Sequence, residues 1–322
     1  MNWKQLLFPR AVHSAFKRAR RAKTALAKPW LTGRLRLGRP APLARYLGAL
    51  RHGSQVVRKK QGIVYAVAGD RFVRFAAEPR AMAKLGREYD MWQALRGEGL
   101  AAILPHSMAL HDVPGGKILE SDRLRPIAKE DHAAVALPIV QALLSKARPV
   151  VPSGLPATIE AGLAFARQIS GGALPQSFAS ESDIRDAFAR PLMTGISHKD
   201  LHYRNVMRDD QGKPVLIDLK SCEPERVVAI DLLALACKNL QAQGKQTLVD
   251  AAFAAQQRNW RVSELEPILA LVDLPRPLWG QIYLLNVIGL HATKRKSGEE
   301  VDPFSRALFL RILAKDWRSP IR

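Results

Sequence analysis

Short apolar runs with a period of two dominate residues 54–120, and this spacing predicts a small antiparallel sheet. Turn residues such as Gln61-Gly62 and Gly69-Asp70 separate the runs, as expected between hairpin strands. A helical pattern over 79–95 interrupts the series after its third strand. The predicted strands are 55–58, 63–68, 71–76, 102–110 and 117–120.

Beyond residue 126 the apolar positions recur at helical spacing instead. The spacing of Ser180 and Asp183 is typical of a capping box that starts a helix, and 149–156 is predicted as a loop. The other predicted helices are 129–146, 158–169, 231–242, 246–259, 263–272, 277–293 and 303–316. The two patterns together predict an α+β fold.

One hairpin is predicted within the helical part. The apolar runs 205–207 and 214–217 flank the turn cluster 209–213. This hairpin places Asn205 and Asp218 at neighbouring strand ends, where two metal ligands could converge.

Charge distinguishes the N-terminal segment from the rest of the chain. The net charge is +21, and residues 1–60 contain sixteen Lys or Arg and no Asp or Glu. Such a segment needs an acidic partner surface. Val12 and Phe16 share one predicted helical face, so the arm could lie in a membrane interface; a solvated arm is the equally weighted alternative. Nucleic-acid binding ranks lower because no motif for it is present.

Residues 31–50 contain Gly33, Gly38, Pro40 and Pro42, which predict a linker. No apolar stretch is long enough for a signal-peptide core or a membrane span. The two cysteines form no C-x-x-C pair, which favours a reducing cytoplasm.

The chemistry-bearing stretch is His198-Lys199-Asp200-Leu201-His202-Tyr203-Arg204-Asn205. It matches the kinase catalytic-loop pattern H-R-D-L-x-x-x-N at every fixed position except Lys199, which stands for Arg. The match implies that Asp200 faces the attacking hydroxyl. It also implies that Asn205 and Asp218 hold the Mg²⁺ that bridges the ATP phosphates.

Together these residues resemble the bacterial small-molecule branch of the protein-kinase-like superfamily, typified by aminoglycoside phosphotransferases. L-I-D-L-K-S at 216–221 and I-D-L-L-A-L at 230–235 are most similar to the lipopolysaccharide-core kinases, which phosphorylate heptose or Kdo sugars. The resemblance implies a bilobal fold with a sheet-containing N-lobe and a helical C-lobe. The implied domains are an arm and linker at 1–50, an N-lobe at 51–125 and a C-lobe at 126–322.

The same resemblance assigns further residues. Arg74 stands where a Lys is expected to contact the α- and β-phosphates, with Glu88 as its partner. A surface ion pair is the equally weighted alternative for both. The backbone at Glu120 would belong to the hinge that contacts adenine. His198 and Asp231 are expected to support the loop backbone.

The expected function is transfer of the ATP γ-phosphate to a sugar hydroxyl of a lipopolysaccharide-core or other envelope glycan. The basic arm would hold this cytoplasmic enzyme at the anionic inner membrane. Two alternatives remain: a soluble aminoglycoside or choline-like phosphotransferase, and an inactive pseudokinase. Arg74 and the missing Gly-rich loop favour the pseudokinase, whereas the intact Asp200, Asn205 and Asp218 oppose it. Lys220 either contacts an anionic acceptor or a phosphate, or points away.

Overall fold

The computed structural model describes residues 41–50, 54–128, 131–172, 174, 178–244, 247–257, 265–293, 303–313 and 317. The chain divides into two compact units. The first contains the described residues up to Gly86 together with Met108–Arg123, and the second contains Arg87–Ser107 and the described residues from Leu124 onwards. The first is built on an antiparallel sheet and the second is mainly helical, so the predicted α+β fold is confirmed. The predicted basic arm lies outside the described residues over 1–40.

The first unit is a five-stranded antiparallel sheet with the strand order β1-β2-β3-β5-β4. Its strands are β1 (Ser54–Lys60), β2 (Ile63–Ala68), β3 (Arg71–Ala76), β4 (Met108–Val113) and β5 (Gly116–Asp122). The sequence predicted β2 and β3 with these bounds. The prediction for β4 began too early, because Ala101–Ile103 form a short 3₁₀ turn that buries Ile103 in the core of the second unit.

Helix α1 (Ala41–Ala49) covers one face of this sheet. Leu43 and Leu47 lie one helical turn apart and are fully buried against Val73 and Phe75, among other sheet residues. The predicted linker is therefore wrong over 41–49. Pro42 does not break the helix because it occupies the first turn, where its missing N–H has no intrahelical partner to lose.

Helix α2 (Pro79–Gly97) begins in the first unit and ends in the second. The remaining described helices are α3 (His132–Leu144), α4 (Ala157–Ile169), α5 (Glu181–Phe188), α6 (Ala229–Gly244), α7 (Leu248–Gln257), α8 (Glu266–Leu269), α9 (Trp279–Ala292) and α10 (Pro303–Leu313). Ser180 and Asp183 form the predicted capping box at α5. Helix α8 is shorter than predicted, because the chain turns at Ala270.

Helix α9 is the central element of the second unit, and it packs on α4, α6 and α7. Its contact with α4 depends on glycine. A Cβ atom on Gly289 would lie 1.7 Å from the carbonyl oxygen of Thr158, and one on Gly162 would lie 2.2 Å from that of Leu285. The two backbones therefore approach more closely than any side chain would permit.

Two small antiparallel sheets complete the second unit. The first, in the order β10-β9-β6, consists of β6 (Arg125–Pro126), β9 (Val206–Arg208) and β10 (Pro214–Leu216). It contains the predicted hairpin. The second, in the order β11-β8-β7, consists of β7 (Arg148–Val150), β8 (Leu192–Ser197) and β11 (Glu223–Val227).

The sheet of β7, β8 and β11 was not predicted, and part of the loop predicted at 149–156 belongs to β7. These strands are short, and prolines or charged residues interrupt β7 and β11, so neither has a clear period of two. Strand β8 leads directly into His198.

Among the residues that the structure describes, no helix is both long enough and apolar enough to cross a membrane.

Candidate active site

The loop from His198 to Asn205 connects β8 to β9 and is held by α6. Asp231, in the first turn of α6, accepts hydrogen bonds from the backbone N–H of His198 at 2.5 Å and of Lys199 at 3.1 Å. The His198 ring in turn contacts the carbonyl oxygen of Ile217 through Nε2 at 2.8 Å. His198 and Asp231 thus hold the loop backbone, as the resemblance implies, and connect it to the segment before Asp218.

Both supporting groups are deeply buried, and burial is the main influence on their protonation. It lowers the pKa of His198 despite the nearby charge of Asp231, and it raises the pKa of Asp231 despite the same pairing. A neutral His198 with its proton on Nε2 fits the contact to the Ile217 carbonyl, because only a donor can bond to that oxygen.

Asp200, the expected catalytic residue, lies in this loop with 47% of its side chain exposed. The Nζ atom of Lys238 lies 2.6 Å from its Oδ1 atom, and Nε2 of His202 lies 3.5 Å from its Oδ2 atom. Burial alone would raise the pKa of Asp200. The hydrogen bond from His202 and the charge and hydrogen bond of Lys238 outweigh burial and lower it. Asp200 is therefore a carboxylate at neutral pH, suited to accept a hydrogen bond from a hydroxyl group.

Asn205 and Asp218 lie on either side of the β9–β10 hairpin, as predicted. The Nδ2 atom of Asn205 donates to the carbonyl oxygen of Asp200 at 2.9 Å, which leaves the Oδ1 atom of Asn205 for a cation. The N–H of Ile217 bonds the carbonyl of Asn205 at 2.9 Å, which ties the segment before Asp218 to this residue. An amide oxygen and a carboxylate are ligands of the kind that Mg²⁺ prefers, so the residues fit this metal.

The Asp218 carboxylate contacts the ammonium group of Lys220. Lys220 lies in a 3₁₀ turn at Leu219–Ser221 rather than in a strand, so strand alternation does not decide its direction. Lys220 therefore faces the predicted metal ligand, and its contact with an anionic acceptor or a phosphate stays a prediction.

A second carboxylate connects the loop to β11. Glu223 contacts the ammonium group of Lys199, and the Nε atom of Arg226 lies 2.7 Å from its Oε2 atom. Burial would raise the pKa of Glu223, but the hydrogen bonds from Lys199 and Arg226 lower it. Lys199, which stands where the kinase pattern has Arg, therefore fixes the loop to the strand that follows Asp218.

Two of the four described non-glycine residues with positive φ angles lie at this site. Lys199 and Asp218 have φ angles of 62° and 63°, in the left-handed region that non-glycine residues rarely adopt. Each such residue costs on the order of 1–3 kcal/mol, and strained residues of this kind cluster at functional sites. Lys199 directly precedes Asp200, and Asp218 is itself the predicted metal ligand just after β10, so both lie where the predicted chemistry requires a fixed side chain.

Tyr203 fills space within the loop. Its ring stacks on the buried His132 ring with centroids 4.8 Å apart, and the Arg204 guanidinium lies over it at 5.4 Å. Tyr203 therefore packs on both His132 and a neighbouring residue of the loop.

The predicted nucleotide contacts are distributed over different faces and units. In the first unit, the Arg74 side chain lies over Phe72, on the sheet face opposite α1. Glu120 pairs with Val73 across β3 and β5, so it lies on the α1 face, where Tyr46 and Arg71 contact its carboxylate.

The structure therefore does not bring the Glu120 side chain together with Arg74; a contact through the Glu120 backbone stays a prediction. Glu88 is buried and belongs to the second unit. Its pairing with Arg74 also stays a prediction.

Sequence reasoning missed Lys238, Glu223 and Arg226. Lys238 had a signal: it follows Asp231 by seven residues, about two helical turns, and so lies on the same face of α6. The sequence gives no signal for Glu223 and Arg226, because the register of β11 against β8 decides the direction of their side chains.

Comparisons with known proteins find similarity in structure only. No family model and no curated protein sequence matches the chain. It is similar to a solved structure of a choline kinase from Streptococcus pneumoniae, with 14% identity over 84% of this chain and 96% of that chain and a TM-score of 0.46.

Two further solved structures are similar to a comparable degree. An aminoglycoside phosphotransferase, APH(3″)-Id from Streptomyces rimosus, has 17% identity over 77% of this chain and 98% of that chain, with a TM-score of 0.46. The ternary complex of streptomycin, ATP and APH(2″)-IIa has 11% identity over 87% and 99%, with a TM-score of 0.47. At these identities and TM-scores the chemistry of this chain must rest on its own residues.

Proposed function

We propose that this chain is a phosphotransferase that moves the γ-phosphoryl group of ATP to a hydroxyl group. The observation that supports this most is the environment of Asp200. His202 and Lys238 lower the pKa of this carboxylate, and its backbone carbonyl accepts a hydrogen bond from Asn205, the residue that would ligate the metal. A loop anchored by His198 and Asp231 carries both residues.

In this mechanism Asp200 accepts a hydrogen bond from the acceptor hydroxyl and holds its oxygen in line with the γ-phosphorus. Because its pKa is lowered, Asp200 is a weak base and acts mainly by orientation, receiving the proton as the phosphoryl group leaves ADP. Asn205 and Asp218 would hold Mg²⁺, which neutralises developing phosphate charge when bound. Contact of Arg74 with the α- and β-phosphates stays a prediction.

The acceptor that we propose is a sugar hydroxyl on an anionic envelope glycan, such as the lipopolysaccharide core. Two cations lie at the loop carboxylates, Lys238 at Asp200 and Lys220 at Asp218. Glu223 already pairs with Lys199 and Arg226. Cationic acceptors such as aminoglycosides favour an acidic pocket instead, and this loop offers little uncompensated negative charge.

The test is transfer of γ-labelled phosphate from Mg-ATP into a bacterial envelope extract, which is then separated into glycolipid, protein and soluble fractions. Asp200→Asn is assayed beside the wild type. We expect label in glycolipid from the wild type and a loss of about 10³-fold or more in the variant, as for residues that act in the transition state.

Label in the soluble fraction would instead indicate a small-molecule kinase. If ATP binds but no fraction is labelled, the chain is a pseudokinase and the proposal is wrong.

A further inference from the structure

Helix α6 contacts the loop at two points on one face. Asp231 binds the backbone of His198 and Lys199, and Lys238 binds the carboxylate of Asp200. The two residues are seven positions apart, which corresponds to a rise of about 10.5 Å along the helix axis. The helix therefore fixes both the backbone of the loop and the side chain that the proposed reaction depends on.

The two carboxylate oxygens of Asp200 have different surroundings. Oδ1 receives the Lys238 ammonium at 2.6 Å, a short charge-assisted hydrogen bond. Oδ2 has only the contact with His202 Nε2, and at 3.5 Å it is long. His202 Nδ1 accepts the Arg204 backbone N–H at 3.0 Å, so the proton of a neutral His202 lies on Nε2. Oδ2 is therefore the oxygen better placed to receive another donor.

We propose that Lys238 is a positioning residue that holds Asp200 by Oδ1, so that Oδ2 receives the acceptor hydroxyl. This role rests on the function proposed above. In the step, the hydroxyl oxygen forms a bond to the γ-phosphorus while the bond from that phosphorus to the bridging oxygen of ADP breaks. The hydroxyl proton passes to Oδ2, and ADP leaves. Lys238 keeps its proton throughout and does not contact the substrate.

The physical reason for such a residue is rotational freedom. Asp200 is nearly half exposed, and the terminal torsion of an aspartate is broad, so an unheld carboxylate samples many orientations. A misplacement of about 1 Å at a reacting group can reduce a rate about 100-fold. The Lys238 side chain is 27% exposed, and its ammonium group removes this freedom without closing off Oδ2.

The experiment compares Lys238→Met, which removes the charge at similar length, with Lys238→Arg, which keeps it. Lys146→Met is the matched control, because Lys146 is an exposed lysine of the same unit just beyond α3. Each protein is given γ-labelled Mg-ATP and the envelope glycolipid extract. Phosphate transferred to glycolipid and phosphate released to water are measured in the same tube, together with the thermal unfolding midpoint.

For Lys238→Met we expect kcat for transfer to fall about 100-fold with the KM for ATP unchanged. Release of phosphate to water should fall less, so the ratio of hydrolysis to transfer rises. Lys238→Arg should recover part of the transfer rate, and the unfolding midpoints should match that of Lys146→Met. Should Lys238→Met not fold, Lys238→Gln replaces it with the same expectations.

Transfer by Lys238→Met at the wild-type rate would overturn the inference. So would a parallel fall in transfer and hydrolysis that follows a lowered midpoint, because that pattern reports only a structural role. Either result leaves the proposed function standing if Asp200→Asn is inactive. Absence of transfer by the wild type overturns the proposed function, and the role of Lys238 falls with it.

Discussion

At the scale of single residues, Asp231 shows how one buried carboxylate can order a whole loop. It is 2% exposed and accepts two backbone N–H groups that have no strand or helix partner. Buried N–H groups must be bonded, since leaving one unsatisfied costs about 1–3 kcal/mol. The Asp231 carboxylate therefore stabilises the backbone conformation at the start of the His198-to-Asn205 loop.

Asp231→Asn should accordingly lower the free energy of unfolding of the second unit by about 1–3 kcal/mol. The amide of Asn has an NH₂ donor in place of one carboxylate oxygen, and this donor would face a backbone N–H that is also a donor. Urea denaturation measures the change. The matched control is Asp209→Asn: Asp209 also accepts two backbone N–H groups, from Gln211 and Lys213, but in an exposed turn. A cost in the control as large as that at Asp231 would contradict the importance of burial.

The cysteines give a second prediction at this scale. Burial raises the pKa of Cys222 to about 12 and raises that of Cys237 as well. Because the thiolate is the reactive form, a disulfide reagent at pH 9 should label neither thiol in the native protein and both after denaturation. Rapid labelling of the native protein would contradict the burial of these side chains.

The same shift has a defined effect on stability. The folded state binds the thiol proton more tightly than the unfolded state, whose pKa is near 9.0. The contribution of Cys222 protonation to the free energy of unfolding is therefore complete below pH 9, and it is lost as the pH rises from about 9 towards 12. The decline of unfolding free energy between pH 8 and pH 10.5 should be shallower in Cys222→Ala than in the wild type.

At the scale of elements, the packing of α1 on the first sheet makes residues 41–49 part of the first unit. Leu47→Ala should cost about 2–5 kcal/mol, as for other leucines in well-packed cores. Because the chain has two units, amide hydrogen exchange in β2 and β3 is a better measure than a single unfolding midpoint. Arg45→Ala, at an exposed position of the same helix, should leave this exchange unchanged. Equal exchange in both variants would contradict the packing.

Elements with a clear period were predictable from the sequence, and those defined by tertiary pairing were not. Strand β2 lies between turns at Gly62 and Gly69, and β3 follows the second of these turns. Both glycines adopt positive φ angles, which marks the strand boundaries in the sequence. By contrast, β7 and β11 exist because β8 lies between them, and no local pattern encodes that neighbour. Helix α1 is not predicted, because Gly and Pro residues in this segment favour a linker. Two leucines four residues apart nevertheless pack the helix on the sheet.

The residues of the candidate site also differ in how far the sequence predicts them. Asp200, Asn205 and Asp218 were predictable because a contiguous motif and a hairpin fix their spacing. Their cationic partners were less so: Lys238 reaches Asp200 from α6, and the role of Lys199 depends on Glu223 in β11. The Glu120 side chain lies on the other face of the sheet from Arg74, and this depends on the register of β3 against β5, which the sequence does not reveal.

At the scale of the whole molecule, charge is the dominant property. Residues 1–60 carry a large excess of positive charge. Basic residues near an anionic lipid surface are attracted to it by about 1 kcal/mol each. We therefore expect the full chain to sediment with vesicles that contain phosphatidylserine and to be released as salt shortens the screening length.

Deletion of residues 1–30 should weaken this binding, and vesicles of phosphatidylcholine alone are the control. Binding that ignores both salt and the deletion would contradict the membrane role of the arm. Binding to the uncharged control vesicles would contradict its electrostatic basis.

The spacing of Asp231 and Lys238 along α6 matches the separation of their two contacts in the His198-to-Asn205 loop. One residue inserted between them would rotate Lys238 by about 100° around the helix axis and carry its ammonium group away from Asp200. A change of length would break the alignment of the backbone support with the carboxylate support. We therefore expect this helix to tolerate a substitution on its other faces better than an insertion between Asp231 and Lys238.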